Sequence, residues 1–355
     1  MTRSRQFLCL PGDGIGPEIM ASTIDVLDAV SPLLKAPVTI LQSDIGFVSL
    51  ANHGVTITDD VIAMAREVDG LLLGPVSHNE YPPVEEGGLN PSGVLRKALN
   101  LYANMRPAKS WPGLARPYGK AIDVLVAREN IEGFYADRNM HEGSGEFMPV
   151  PGVALAMRRI TTEASINIAK AAFEAACNRP AKKVTAIHKA NVMRLSDGLF
   201  LDAVRSVAAT YPDVAYDEEL IDAAAALLVR DPNRFDVIVT TNMFGDILSD
   251  LASELSGSLG LAGSLNAGDT HAAAQAQHGS APDIAGLNKA NPTSLILSLS
   301  MLLVHLNEQK AADAITAAIG ICLADSSSRT ADLGGSLGTA EFTNKVVTHI
   351  ETEGL

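Results

Sequence analysis

Residues 236–250 read DVIVTTNMFGDILSD, and this stretch decides the fold class of the chain. The β-branched run from Asp236 to Thr241 predicts a strand. A helix is predicted to follow directly, from about Gly245 to Leu255. Strands that lead straight into helices are typical of α/β proteins whose strands are largely parallel.

The same alternation of strand and helix patterns extends outward along the whole chain. Further strands are predicted at Phe7–Leu10, Val38–Leu41, Gly70–Leu73, Ala121–Ala127 and Lys183–Ile187. Further helices are predicted at Ile19–Val30, Asp59–Val68, Pro91–Leu101, Thr161–Cys177, Leu195–Ala209, Glu218–Val229, Pro292–Asn307, Gln309–Leu323 and Thr339–Glu353. The segment Gly257–Ala290 is rich in Gly, Ala and Ser, which predicts a long surface loop.

Composition narrows the class of protein. With 355 residues, of which 47% are hydrophobic, the chain is too long for one ordinary core and is expected to form two lobes. The net charge of −14, without a basic stripe, argues against binding of a nucleic-acid backbone. No apolar run approaches membrane-spanning length, and no signal peptide is visible, so no membrane partner is expected. Three scattered cysteines suit reduced thiols in the cytoplasm.

Asp246 and Asp250 lie four residues apart on the helix that follows residues 236–241, and therefore on one helix face. Hard carboxylate oxygens placed in this way suit Mg²⁺ or Mn²⁺. The alternative is a solvated acidic helix start that is favoured by the helix dipole. This spacing alone does not decide between the two.

Three arginines and a lysine are candidates for binding or catalysis. Arg96 lies on a predicted helix, Arg106 follows ten residues later, and Arg128 ends an apolar strand, where a cation needs a partner. Guanidinium groups suit bidentate binding of carboxylates, although each arginine alone is more often a surface or ion-paired residue. Lys189 follows a strand and is a candidate base. An exposed loop lysine is the alternative.

Two glycine-containing loops are candidates for nucleotide binding. The first, GDGIG at residues 12–16, reads G-x-G-x-G, and no suitably placed acidic residue ends a second strand, so it does not match the Rossmann fingerprint. The second, HGSAPDIAG at residues 278–286, has the small residues of a shaped loop, although by composition it is only a turn.

Taken in order and spacing, these segments resemble the isocitrate / 3-isopropylmalate / tartrate dehydrogenase family of β-decarboxylating dehydrogenases. The resemblance runs from GDGIGPE through LYANMRP, RENIEGFY, HKANVM and TTNMFGDILSD to HGSAPDIAG and ANPT, nearly the whole chain. It implies an α/β, isopropylmalate-dehydrogenase-like two-domain fold, non-Rossmann, with a mixed sheet and helices on both faces. Residues 1–101 plus 257–355 would form the large cofactor-binding domain. Residues 102–256 would form the small domain, with the dimer interface and the metal ligands.

The resemblance also assigns roles to residues. The arginines that match those binding the malate moiety are Arg96, Arg106 and Arg128, with Asn191 beside the substrate. Tyr135 matches the catalytic acid and Lys189 the base. Asp222, Asp246 and Asp250 match ligands of Mg²⁺ or Mn²⁺, and Asp222 also counts among the catalytic residues. The cofactor loop would comprise His278, Gly279, Ser280, Ala281, Asp283 and Ile284, together with Asn291.

The implied reaction is oxidation and decarboxylation of a malate-type 2-hydroxy acid. Because an aspartate suits free ribose hydroxyls and repels a 2′-phosphate, Asp283 predicts NAD and not NADP. In the family, the lysine and the third aspartate reach into the partner subunit's site. A homodimer, or a tetramer of the same chain, with shared active sites is therefore expected.

Substrate choice is expected to depend on the helix before Arg96. Asn90 and Ser92 stand where isocitrate-type members carry a serine and an asparagine and isopropylmalate-type members carry leucines. An isopropyl group against Ser92 and Gly93 would lose most of about 2 kcal/mol of apolar burial. A D-malate-, tartrate- or isocitrate-like substrate is favoured, and the acidic pair at residues 85–86 favours the first two. Gln275 replaces a glutamate expected near the nicotinamide ribose.

Three other functions are alternatives to this prediction. The first is a 3-isopropylmalate dehydrogenase of leucine biosynthesis. The second is a non-catalytic regulatory subunit of a hetero-oligomer, but such subunits tend to lose the base or the metal ligands, which are all retained here. The third is the phosphorylated-hydroxythreonine dehydrogenase group, which uses histidines at its metal, unlike Asp246 and Asp250.

Overall fold

The computed structural model describes residues 3–116, 119–135 and 144–353. Its strands are β1 (Arg5–Leu10), β2 (Val38–Gln42), β3 (Gly70–Leu73), β4 (Ala103–Lys109), β5 (Asp123–Glu129), β6 (Glu146–Val150), β7 (Val153–Ala156), β8 (Lys183–His188), β9 (Ala215–Leu220), β10 (Val237–Thr240), β11 (Leu265–Ala267) and β12 (Ala272–Gln275). Its α-helices are α1 (Gly16–Val30), α2 (Phe47–His53), α3 (Asp59–Glu67), α4 (Pro91–Ala98), α5 (Thr162–Cys177), α6 (Ser196–Ala208), α7 (Ile221–Arg230), α8 (Asn242–Ser256), α9 (Thr293–His305), α10 (Gln309–Ala324) and α11 (Thr339–Glu353). None of these helices is long and apolar enough to cross a membrane.

The chain folds into two compact units. Unit 1 comprises Met1–Leu99, Ser110–Ala115 and Gly257–Leu355, and unit 2 comprises Asn100–Lys109 and Arg116–Ser256. In unit 1 the strands lie in the order β2-β1-β3-β12-β11, all pairs being parallel except β11 with β12. In unit 2 the order is β4-β5-β10-β8-β9, all pairs being parallel except β4 with β5. Both units therefore have the predicted α/β character with mixed strand directions.

Alternate residues of the unit 2 strands face opposite sides of the sheet. Val237 of β10 packs with Phe173 of α5 and Phe200 of α6 on one face. The next residue, Ile238, packs with Leu248 of α8 on the other face. The strands are apolar on both sides because helices cover both sides, as predicted.

The prediction of a surface loop at Gly257–Ala290 is wrong. This segment contributes β11 and β12, and Ala272, Ala273 and Ala274 are almost completely buried. Alanine is depleted in strands generally, so a run of alanines gives no β signal. These small side chains are buried in a strand that pairs with β3 and β11, a tertiary effect that propensity does not capture.

The predicted helix Glu218–Val229 begins too early. Glu218 belongs to β9, which pairs in parallel with β8, and the helix begins at Ile221. β9 lies at the end of the unit 2 strand order, where charged side chains are common. Strands β4, β6, β7 and β9 were not predicted at all.

Candidate active site

Arg128 is the centre of a polar cluster in unit 2. It is the sixth residue of β5 and is 2% exposed. Its Nε and Nη2 atoms donate to Asn242 Oδ1 at 2.9 and 2.7 Å, and its Nη1 forms an ion pair with Asp246. Its Nη2 also donates to the Tyr135 hydroxyl at 2.7 Å, and that hydroxyl donates to Asp246 Oδ2 at 3.0 Å. The tyrosine O–H is thus held between a cation and a carboxylate.

Arg106 of β4 contacts the same carboxylates. Its Nη1 lies 3.1 Å from Asp246 Oδ1 and 3.3 Å from Asp250 Oδ1, and it donates to Ser249 Oγ at 2.9 Å. Burial, together with the charge of Arg128, lowers the pKa of Arg106 to about 10. The guanidinium remains charged at neutral pH, so two arginines and two aspartates form one ionic cluster.

The structure contradicts the alternative that Asp246 and Asp250 form an acidic helix start. Helix α8 begins at Asn242 and has no acidic residue in its first turn. The dipole effect falls off within the first turn, whereas Asp246 and Asp250 lie beyond it. Both carboxylates face cationic partners from β4 and β5 and are still partly exposed, by 40% and 54% of their side-chain surface.

Lys189 and Asp222 form a second pair in unit 2. Lys189 directly follows β8, and Asp222 lies in the first turn of α7. Lys189 Nζ lies 2.5 Å from Asp222 Oδ1, and this hydrogen bond lowers the pKa of the Asp222 carboxyl. Both side chains are solvent-accessible, Asp222 by 66%. Asn191, two residues beyond the lysine, is exposed.

The predicted metal ligands are divided between these two clusters. Asp246 and Asp250 share one cationic partner, and Asp222 sits beside Lys189. Among the described residues, no group of three or more His, Cys, Asp or Glu side chains is arranged to hold a metal ion. Within the described part of one chain, Asp246 and Asp250 are thus two neighbouring carboxylates for a cation, and Asp222 is not grouped with them.

The remaining predicted arginine, Arg96, lies on α4 in unit 1. Its Nη2 donates to Gln275 Oε1 at 3.1 Å, and Ser92 Oγ donates to the same oxygen at 3.1 Å. Asn90 is the N-cap of α4, its Oδ1 accepting from Gly93 N at 3.2 Å. Both predicted selectivity residues therefore already make hydrogen bonds within the protein.

The loop predicted to bind the cofactor packs on the GDGIG loop within unit 1. Ile15 N donates to Ser280 O at 2.8 Å. Gly14 has a φ of +58°, and a Cβ there would lie 1.9 Å from Ser280 O. Only glycine allows this close approach. Ser280 is buried, and its hydroxyl lies 2.7 Å from that of Ser77.

Other members of the predicted cofactor loop differ in exposure. Asp283 lies exposed in the 3-10 turn Pro282–Ile284, which follows Ala281 at a φ of +37°. Gly279 is exposed too, and Ile284 is half-buried. His278 Nδ1 bonds Gly279 O at 2.9 Å, and burial lowers the pKa of this histidine. Asn291 Nδ2 donates to Asp332 Oδ2 at 2.9 Å.

Sequence reasoning missed several residues that hold the clusters together. Asn242 and Ser249 accept hydrogen bonds from the two buried arginines. Asn242 lies two residues after the end of β10. A polar residue just beyond a buried strand is a signal that could have found it. Arg158 and Asp197, which form a buried ion pair, had no such local signal.

The family model for isocitrate/isopropylmalate dehydrogenases matches residues 6–346. The chain is 42% identical over 341 residues to the mitochondrial NAD isocitrate dehydrogenase catalytic subunit 6 of Arabidopsis thaliana, covering 96% of this chain and 87% of that relative. It is 41% identical over 344 residues to a 3-isopropylmalate dehydrogenase of Sulfurisphaera tokodaii, covering 95% and 96%.

The crystal structure of isocitrate dehydrogenase from Methylococcus capsulatus resembles this structure with a TM-score of 0.88 and 36% sequence identity. The match covers 98% of this chain and all of that one. This similarity confirms the predicted fold class. The chain belongs to the isocitrate/isopropylmalate dehydrogenase family and is an oxidoreductase of the dehydrogenase type.

Proposed function

We propose that the protein is an NAD- and divalent-metal-dependent dehydrogenase that oxidises and decarboxylates a 3-substituted (R)-malate-type 2-hydroxy acid. The observation that carries this proposal is the cluster of Arg106, Arg128, Tyr135, Asp246 and Asp250 in unit 2. It combines two buried cations for carboxylates, two carboxylates for a metal and one phenol that can donate a proton. A decarboxylating oxidation requires each of these three kinds of group.

Each of the proposed site residues has its own role in this reaction. Arg106 and Arg128 bind substrate carboxylates, and Arg96 is the third arginine that we assign to the malate part of the substrate. Lys189 takes the proton of the C2 hydroxyl as the hydride leaves C2, and bound NAD supplies the hydride acceptor. After the carboxylate on C3 leaves as CO₂, Tyr135 donates a proton to C3. Asn191 lies beside the substrate, two residues beyond the base.

The donor set of α8 fits a hard divalent cation. Asp246 and Asp250 already converge on the cationic Nη1 of Arg106, so this position favours positive charge. They would hold Mg²⁺ or Mn²⁺, with Asp222 of a second copy completing the ligands. A cation there would supply a Lewis acid at the C2 oxygen.

The 278–291 segment fits a dinucleotide. His278 Nε2 is buried without a hydrogen-bond partner among the described residues, which suits a polar group of a bound ligand. Asp283 is exposed and free to meet two ribose hydroxyls, and its charge disfavours a 2′-phosphate. We therefore propose NAD as the cofactor and unit 1 as the cofactor-binding domain.

We propose a homodimer, or a tetramer built from such dimers, with unit 2 as the interface. The β6–β7 hairpin is exposed along its whole length, and Phe147, Met148 and Val150 are 45–63% exposed. An isolated two-stranded hairpin is marginally stable in water. Ile247 on α8, 57% exposed, adds a further apolar side chain close to the ionic cluster. A second copy would cover these surfaces and bring its own Lys189–Asp222 pair.

Substrate selection favours a polar or small 3-substituent. The side chains at the start of α4 are Asn90, Ser92 and Gly93, which offer little apolar surface to an isopropyl group. Glu85 and Glu86 are exposed in the 3-10 turn just before this helix. We therefore propose D-malate-, tartrate- or isocitrate-like substrates, and 3-isopropylmalate as the alternative.

A non-catalytic regulatory role is the second alternative. The retained lysine, tyrosine and aspartates argue against it, because a complete set of such groups indicates catalysis. We place the enzyme in the cytoplasm, since its cysteines Cys9, Cys177 and Cys322 are all free thiols.

The test is an NAD-reduction assay with Mn²⁺ over D-malate, the tartrates, isocitrate, homoisocitrate and 3-isopropylmalate, with CO₂ measured in parallel. NADH and CO₂ should form in equal amounts with a polar substrate. Arg128→Gln should remove this activity, whereas Arg116→Gln, a change at an exposed arginine, should leave it unchanged. Activity confined to 3-isopropylmalate would support the alternative, and no reduction with any acid would refute the proposal.

A further inference from the structure

Gln275, the last residue of β12, gathers three hydrogen-bond donors on one oxygen. Its Oε1 lies 3.1 Å from Ser92 Oγ, 3.1 Å from Arg96 Nη2 and 3.1 Å from Asn266 Nδ2. The amide of this strand residue therefore connects to the face of α4 that carries both the proposed carboxylate-binding arginine and a proposed selectivity residue. All four side chains belong to unit 1.

The directions of these hydrogen bonds follow from the chemistry of the groups. An arginine has only donors, so the Gln275 atom that faces Arg96 must be the carbonyl oxygen. That oxygen only accepts, so Ser92 must be the donor in its own bond. A serine hydroxyl has a single proton. Ser92 is 6% exposed, so little water can compete with Gln275 for the hydroxyl proton.

Ser92 consequently has no proton left for a substrate and can only accept. Asn90 can act as a donor, because its Oδ1 already accepts from Gly93 N at the start of α4. The N–H groups of its amide are then the groups that it presents. The start of α4 thus combines one acceptor, Ser92, four residues before Arg96, and one donor, Asn90, six residues before it.

We propose that Gln275 determines substrate specificity by fixing Ser92 as a hydrogen-bond acceptor, and that the favoured 3-substituent is a hydroxyl. A hydroxyl can donate to Ser92 and accept from Asn90 at the same time. An ionised carboxylate can only accept, and it would meet the lone pairs of Ser92. This inference rests on the proposed function, in which Arg96 binds the malate part of the substrate.

The consequence is a preference for 2,3-dihydroxy acids such as a tartrate over tricarboxylic acids such as isocitrate. A site whose polar groups are left unpaired by one substrate discriminates strongly against it. A tenfold change in a rate or binding constant corresponds to about 1.4 kcal/mol, which lies within the range of one net hydrogen bond.

The experiment uses the full-length protein and two variants that alter these hydrogen bonds. Ser92→Ala removes the acceptor, and Gln275→Met removes the carbonyl while keeping the length of the side chain. Ser4→Ala, at an exposed serine of unit 1, is the matched control. For each protein, kcat/KM is measured with the three tartrates, D-malate and isocitrate, and substrate binding without turnover is measured by calorimetry.

In Ser92→Ala, kcat/KM and affinity for the preferred tartrate should fall about tenfold relative to D-malate, which has no 3-hydroxyl. In Gln275→Met, the Ser92 proton is free to donate to a carboxylate. The value of kcat/KM for isocitrate should therefore rise about tenfold relative to that for the preferred tartrate. Gln275→Met also removes an acceptor of Arg96. Because Arg96 binds the part that all these substrates share, this effect cancels in the ratios of kcat/KM. Ser4→Ala should leave both ratios unchanged.

Two results would overturn the inference. One is a wild-type preference for isocitrate over every tartrate, and the other is unchanged ratios in both variants. If the wild-type protein oxidises hydroxy acids but the ratios do not move, only the role of Gln275 is refuted. If it oxidises none of them, the proposed function fails and this inference fails with it.

Discussion

The main-chain N–H of Lys189 donates to a carboxylate oxygen of Asp197 at 2.5 Å, and the other oxygen of that carboxylate is paired with Arg158. Asp197 is completely buried, and the Arg158 side chain is 7% exposed. Arg158 also donates to Ser196 Oγ at 3.0 Å and Thr241 Oγ1 at 2.9 Å. The backbone of the proposed base is thus fixed by a buried ion pair whose charges are well satisfied.

Asp197→Ala should destabilise the protein by about 3–5 kcal/mol, because it leaves the Arg158 cation buried and unpaired. The double variant Arg158→Met with Asp197→Leu should lose less stability, since it removes both charges. Urea unfolding of the two proteins measures the difference. Equal destabilisation of the single and the double variant would contradict this interpretation of the pair.

Lys189→Met should lower kcat by a factor of roughly 10²–10⁴, the usual contribution of a general base. Substrate and cofactor should still bind, because the main-chain bond to Asp197 remains. Lys170→Met, at an exposed position of α5, is the control and should retain activity. Near-normal turnover of the Lys189 variant with the preferred substrate would exclude this lysine as the base.

Much of the fold follows from local sequence signals. The β-branched run at residues 236–241 predicted β10 because such side chains suit a strand covered on both faces. β12 was missed because its buried face consists of alanines, whose small size matters only once neighbouring strands and helices are in place. The boundary at Ile221 was missed because Glu218 lies in an edge strand, where a charged residue is accommodated as easily as in a helix.

The residues of the candidate site could be predicted from the sequence, but the hydrogen bonds and ion pairs between them could not. The order of the motifs singled out Arg106, Arg128 and Asp246, which the structure brings together. The bonds of Gln275 to α4 join residues more than 170 positions apart and leave no local pattern. The same holds for the Arg158–Asp197 pair.

The divalent metal should stabilise the protein through α8. At a free Mn²⁺ concentration of 100 Kd, binding adds about 2.7 kcal/mol to the free energy of unfolding, so the melting temperature should rise. Asp246→Asn and Asp250→Asn should each remove most of this rise. Glu254→Gln, on the same helix, is the control and should keep it. A Mn²⁺-induced rise that persists in both aspartate variants would show that the metal binds elsewhere.

The charge of Asp283 should set the choice of cofactor. Asp283→Ala should lower kcat/KM for NAD about tenfold, because hydrogen bonds to the ribose are lost. Asp283→Lys should in addition raise the activity with NADP, whose 2′-phosphate it can attract. Asp60→Ala, at an exposed position of α3, should change neither value. A wild-type enzyme that uses both cofactors equally would refute this role of Asp283.

Glu129, which follows Arg128 in β5, should make stability depend on pH. Burial raises the pKa of its carboxyl from 4.5 to about 7, although the main-chain N–H groups of Ile131 and Glu132 oppose the shift. Between these two values the folded state binds more protons than the unfolded state, so stability falls as the pH rises. The favourable contribution is complete below pH 4.5 and is lost by about pH 7.

Glu129→Gln keeps the shape of the side chain and removes this titration. The variant should therefore lose less stability than the wild-type protein between pH 5 and 8, with a difference of up to about 3 kcal/mol. Urea unfolding at pH steps across this range measures it. Glu146→Gln, at an exposed position of β6, should follow the wild-type curve. If the Glu129 variant follows that curve too, Glu129 is ionised in the folded protein throughout this range.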